Sequence, residues 1–116
     1  TLSVAGNVAS TTFRETYYDL GTGGSTAINL STANNFRRQF NTGATITFTS
    51  APSGRAFGFT VTTVNAGAYV IDWPAIVNWV GGSQPLLTSS GTDVLTFFTF
   101  DGGTSYYGFL VGKDMS

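Results

Sequence analysis

Apolar and polar residues alternate with a period of two over residues 44–50, with Ile46 and Phe48 on one side and Thr45, Thr47 and Thr49 on the other. That is the pattern of a half-buried strand. Residues 55–64 continue it, placing Phe57, Phe59 and Val61 on one face after a turn at 51–54 in which Pro52 and Gly54 supply the special dihedrals. Residues 13–20, 26–30 and 36–40 read as further short strands, the first broken by the glycine cluster at 21–25. Near the end, the β-rich runs 94–100 and 105–111 flank Asp101-Gly-Gly and predict an antiparallel hairpin. In that hairpin Val94, Phe98 and Phe100 point one way and Leu95 and Phe97 the other. A strand apolar on both faces is normally covered on both.

Nowhere does an apolar period of 3.6 residues persist, and no internal repeat of 20 to 50 residues stands out. The expected fold is all-β: an antiparallel β-sandwich or jelly-roll-like domain of about eight strands. A single domain over residues 13–116 is preceded by an extension at 1–12, whose start at Thr1 suggests an excised or excerpted chain. Residues 2–8 read there as a short edge strand around Gly6-Asn7.

Composition sharpens this picture in one respect. Only 9% of the 116 residues are charged, against about 25% in ordinary soluble domains. So little charge with so many aromatics favours an oligomer in which like chains shield one another. The five basic residues are scattered except for Arg37 and Arg38, so no basic stripe for nucleic acid exists. No apolar run reaches the roughly 18 residues of a membrane span, and no signal-peptide pattern opens the chain.

His and Cys are both absent. This removes Ser-His-Asp and Cys-His catalysis and leaves only carboxylates for a metal. Asp72, Asp93, Asp101 and Asp114 lack the spacing of a calcium loop, and Glu15 is the sole Glu. The expectation is a non-enzyme with no cofactor and no metal. Asp101 reads as a turn residue bonding its own backbone, and Asp93 as a partner for an Arg.

Three aromatic residues are candidates for stacking on a sugar: Trp73, Trp79 and Tyr106. Packing in the core or against a sister subunit is the more ordinary use of both tryptophans, and of the neighbours Tyr106 and Tyr107 only one can face outward. Arg38 falls between Phe36 and Phe40 on one strand face, where it must snorkel, pair with a carboxylate or stack on a ring. With Arg37 it is a candidate for a subunit boundary or for reading an anionic group. Phe97, Phe98 and Phe109 are the remaining interface candidates. Loops at 21–25, 65–68 and 81–84 are the places where recognition residues are expected on a rigid β scaffold.

The ordered set Asp72-Trp-Pro, then Trp79-Val-Gly-Gly-Ser-Gln-Pro-Leu, then Asp93-Val-Leu-Thr-Phe-Phe-Thr-Phe-Asp-Gly-Gly-Thr-Ser-Tyr-Tyr-Gly-Phe resembles the C-terminal regions of tailed-bacteriophage tail fibres and related virion proteins. The likeness covers residues 26–113, and residues 2–8 resemble the short shaft segments that precede such domains. One departure is the polar Asn34-Asn-Phe-Arg-Arg-Gln39, where milder Thr and Leu alternation is expected. The resemblance implies a homotrimeric structural protein of the virion that contacts other virion proteins and, at the host-facing end of a fibre, a cell-surface glycan. A capsid decoration protein or a lectin-like domain would be the alternatives.

Overall fold

The computed structural model describes Gly6, residues 9–12 and residues 14–116. Residues 2–5, 7, 8 and 13, on which the shaft-like and edge-strand expectations rest, lie outside the described residues. Among the described residues nine strands carry the fold: β1 (Tyr17–Gly23), β2 (Thr26–Asn29), β3 (Asn35–Phe40), β4 (Ala44–Thr49), β5 (Phe57–Val64), β6 (Ile71–Asp72), β7 (Val77–Trp79), β8 (Thr92–Thr99) and β9 (Tyr106–Gly112). They form a six-stranded sheet, β1-β3-β5-β8-β9-β7, and a three-stranded sheet, β2-β4-β6.

The fold is all-β, but the expected antiparallel arrangement needs correction. Strands β1, β3 and β5 run parallel in one sheet, and β2, β4 and β6 run parallel in the other. The chain therefore winds through three successive two-strand coils, laying one strand of each coil on either sheet. Tyr18 pairs with Phe36 and Phe36 with Val61, while Ile28 pairs with Phe48. These steps along the chain are unequal, so the coil repeats in space without a fixed period in sequence. Among the described residues antiparallel pairing is confined to β5–β8 and β8–β9, the latter as expected of the hairpin; β7 pairs parallel with β9.

Alternation in each strand decides which residues meet between the sheets. Phe36 and Phe40 of β3, Phe59 and Val61 of β5, and Leu95 and Phe97 of β8 all point inward and are buried. From the opposite sheet come Ile28, Ile46 and Ile71. Phe48 of β4 is the hub, with ring centroids 5.0 Å from Phe59, 5.1 Å from Phe97 and 4.9 Å from Tyr106. All three pairs meet edge to face, the arrangement that ring quadrupoles favour.

A second correction concerns β1, which continues through the glycines that were expected to end it. Its register against β3 shifts between Asp19 and Thr22, and the Gly21 N–H donates to Asp19 Oδ1 at 2.9 Å. Gly21 has φ 79°, a conformation that costs glycine little. The glycines thus build a bulge inside the strand.

Candidate functional site

The outward face of the hairpin β8–β9 is the feature that the chain's own core does not account for. Phe98 lies opposite Tyr107, and Thr96 opposite Phe109, in the antiparallel register. Phe98, Phe100, Tyr107 and Phe109 therefore share one face. Their planes are nearly parallel: Phe98 and Tyr107 lie 5.1 Å apart at 29°, Phe100 and Tyr107 5.8 Å apart at 15°, and Phe98 and Phe109 6.1 Å apart at 11°. At these separations near-parallel rings overlap as offset stacks. Much of each ring face is consequently occupied by a neighbouring ring.

Despite this mutual packing Phe100 remains 59% exposed and Phe98 36%. Around the row the sheet is polar but uncharged. Thr60 lies beside Thr96, Gly58 beside Phe98 and Asn78 beside Tyr107. The site offers an apolar, neutral, ridged surface with hydroxyl and amide groups at its margin. Its ionisable group is the Tyr107 phenol.

The sequence candidates divide between this face and the core. Phe98 and Phe109 belong to the outward row. Phe97 does not: it is fully buried within its own chain, so its assignment to a subunit interface is corrected. Trp73 and Tyr106 are also buried, at 7% and 2% exposure, which removes both from sugar stacking. Trp79 is half-buried and rests on Gly108, where a Cβ would come within 2.9 Å of its ring. It packs edge to face on Trp73 at 5.9 Å. Phe100 and Tyr107 were not among the interface candidates, although alternation puts Phe100 on the face of Phe98 and leaves one of Tyr106 and Tyr107 facing outward. The hairpin register, once set by the turn, is the signal that places Tyr107 beside Phe98.

Arg37 points outward, half-exposed, with Nη1 3.6 Å from Asp19 Oδ1. Arg38 points inward between Phe36 and Phe40, as its place in the strand requires. It uses none of the three expected solutions. Nη1 donates to the Leu20 carbonyl and Nη2 to the Gly24 carbonyl, both at 2.7 Å. The guanidinium thereby ties the end of β1 to the turn before β2, and it is not available to a glycan or a partner.

Asp93 is likewise corrected. It is buried and contacts no Arg; instead it accepts from the Thr88 N–H at 2.6 Å, the Thr88 hydroxyl at 2.7 Å and the Asp114 N–H at 3.0 Å. Burial disfavours its charged form, but the donors of Thr88 and Asp114, together with the nearby Lys113 charge, outweigh that and hold its pKa below the ordinary aspartate value. Asp101 behaves as a turn residue, accepting from the Ser105 N–H at 3.0 Å, the Ser105 hydroxyl at 2.7 Å and the Thr99 hydroxyl at 2.9 Å. The Ser105 donors lead in lowering its pKa. Among the described residues no three acidic side chains gather into a metal-binding group.

Two of the three candidate loops come together: Ala66, Gly67 and Gln84 line one cleft beside β6. Comparison of the chain with protein-family models, with curated proteins and with solved structures gives no match.

Proposed function

We propose that this chain is a non-enzymatic structural module of a bacteriophage virion, the C-terminal part of a tail fibre that serves host attachment as a homotrimer. In this reading the outward faces of β8–β9 from sister chains cover one another. The observation that carries it is the uncovered row Phe98, Phe100, Tyr107 and Phe109. An apolar surface left open by its own chain marks an interaction site, and rings stacked side by side leave ridges suited to interdigitation with a similar surface. The low charge content and the ordered set of motifs in residues 72–109 support the same reading. The lack of His and Cys supports a role outside catalysis.

Light scattering tests the assembly directly. The expected mass is three times the 12.2 kDa chain, unchanged on dilution, because apolar interfaces of this kind are obligate. A monomer at all concentrations would overturn the reading. Imaging of labelled particles tests the location: label at the fibre ends is expected, and label spread over the capsid would favour a decoration protein.

A further inference from the structure

Asp101 is followed by Gly102, and no other Asp or Asn among the 116 residues precedes a glycine. That pairing carries a covalent hazard. The Gly102 nitrogen can attack Cγ of Asp101: an N–Cγ bond forms, the amide proton is given up, and the OH of the carboxylic acid leaves with it as water. The product is a cyclic succinimide. Water then adds to either ring carbonyl; opening at Cγ restores aspartate, whereas opening at the main-chain carbonyl leaves the peptide running through Cβ and Cγ as isoaspartate. No atom is gained or lost overall, but the main chain is one carbon longer. Glycine favours the attack because it sets no side chain beside the nitrogen and leaves the backbone free to turn.

The place is a sensitive one. Residues 100–105 join β8 to β9 and so set Phe98 opposite Tyr107, and in a hairpin the turn type and loop length fix the register. An added main-chain carbon changes that loop length. Asp101 is exposed, so water has free access to both steps and burial gives no protection.

Hydrogen bonding to the carboxylate supplies protection instead. Oδ1 accepts from the Ser105 N–H at 3.0 Å and the Thr99 hydroxyl at 2.9 Å, and Oδ2 accepts from the Ser105 hydroxyl at 2.7 Å. Thr99 is itself fully buried, and its Oγ1 accepts from the Gly103 N–H at 3.1 Å. Donors to a carboxylate favour the charged form, and the Ser105 N–H leads in holding the Asp101 pKa below the ordinary aspartate value. The charged form is the one that ring closure cannot use, because a carboxylate is a poor electrophile and has no OH to release. Closure would also remove one of the two oxygens, and with it the bonds which that oxygen accepts.

We propose that Asp101-Gly102 is a latent isoaspartate site that the fold keeps closed, with Ser105 and Thr99 as positioning residues that hold the carboxylate. It is independent of the function proposed above. The test is ageing of the full chain in warm neutral buffer, folded and in urea, with isoaspartate counted by enzymatic methylation and located by peptide mapping. The unfolded parent is expected to accumulate it at residue 101 several-fold faster than the folded parent. Ser105→Ala should raise the folded rate several-fold while circular dichroism shows the chain still folded, and Ser105→Thr, which keeps the hydroxyl, should age like the parent. Asp101→Glu should abolish the signal, because the larger ring closes far less readily. Thr104→Ala is the control: the Thr104 hydroxyl donates to the Asp101 main-chain carbonyl at 3.1 Å and leaves the carboxylate alone, so the rate should not change. If Ser105→Ala does not fold, Thr99→Val, which removes the other hydroxyl donor, takes its place with the same expected rise. A folded parent that isomerises as fast as the unfolded one would overturn the proposal. So would a folded Ser105→Ala that ages like the parent, or a Thr104→Ala that ages as fast as Ser105→Ala, which would make general loosening of the turn the cause.

Discussion

The two faces of the hairpin β8–β9 are built from the same kinds of residue and have opposite fates. On the inner face Leu95, Phe97 and Tyr106 are buried, the last two with their rings against Phe48 and Phe59. On the outer face Phe98, Phe100 and Tyr107, one residue further along, remain open. Hydrophobicity does not distinguish them. What differs is whether the chain has a second layer to lay over each face: the three-stranded sheet covers the inner one, and no described element covers the outer one. An aromatic residue on a two-sided apolar strand is therefore enclosed or left open by its own chain, and the parity of its position decides which.

Substitutions on the two faces should separate these roles. Phe97→Ala is expected to have the largest effect, about 3–5 kcal/mol of lost stability from burial and cavity terms, read by urea denaturation. Phe98→Ser should leave the folded chain within about 1 kcal/mol, because its ring is already partly solvated and loses mainly ring–ring contacts. The scattering mass should instead fall towards that of one chain. If Phe98→Ser proves as destabilising as Phe97→Ala with the mass unchanged, the contrast between the faces fails.

Smaller changes refine the inner side. Gly108→Ala forces a methyl against the Trp79 ring and Val77, each 2.9 Å from the ideal Cβ, and should cost about 1–3 kcal/mol by overpacking; thermal melting will show it. Asp93→Asn keeps the shape but replaces an acceptor oxygen with an N–H2 donor facing donors, for about 1–3 kcal/mol. The lowered pKa of Asp93 also fixes a pH dependence. Its contribution is fully present above the unfolded-state value near pH 4 and is lost as pH falls through the lower folded-state value. Asp101 shares that sign, but its exposed turn makes Asp101→Asn the mildest of these changes. A urea midpoint that held constant from neutral pH down to strongly acid conditions in the parent chain would contradict the role given to Asp93.

How far these features were legible in the sequence depends on the range over which each is decided. The hairpin was legible because its determinants are local: an Asp-Gly-Gly turn, two β-rich runs, and the rule that adjacent strand residues face opposite sides. The same rule foresaw that one of Tyr106 and Tyr107 would be buried. Arg38 shows the limit. Its inward direction follows from alternation with Phe36 and Phe40, but its partners are carbonyls of Leu20 and Gly24, brought to it by the β1–β2 turn. Backbone carbonyls leave no signature in composition.

By itself, then, the sequence determined the all-β class, most of the strands from 26 onward, which residues of a strand share a face, and the hairpin turn, because alternation and turn chemistry act between near neighbours. Only the tertiary structure decided that β1 to β6 stack as parallel coils in two sheets. It also decided that Phe97 and Trp73 are enclosed while Phe98 is left open, and that residues 66–72 and 84–87 meet around a cleft. Strand pairing satisfies the same backbone groups in either direction, so the choice is made by the path of the turns and by which apolar faces can close on one another across the core.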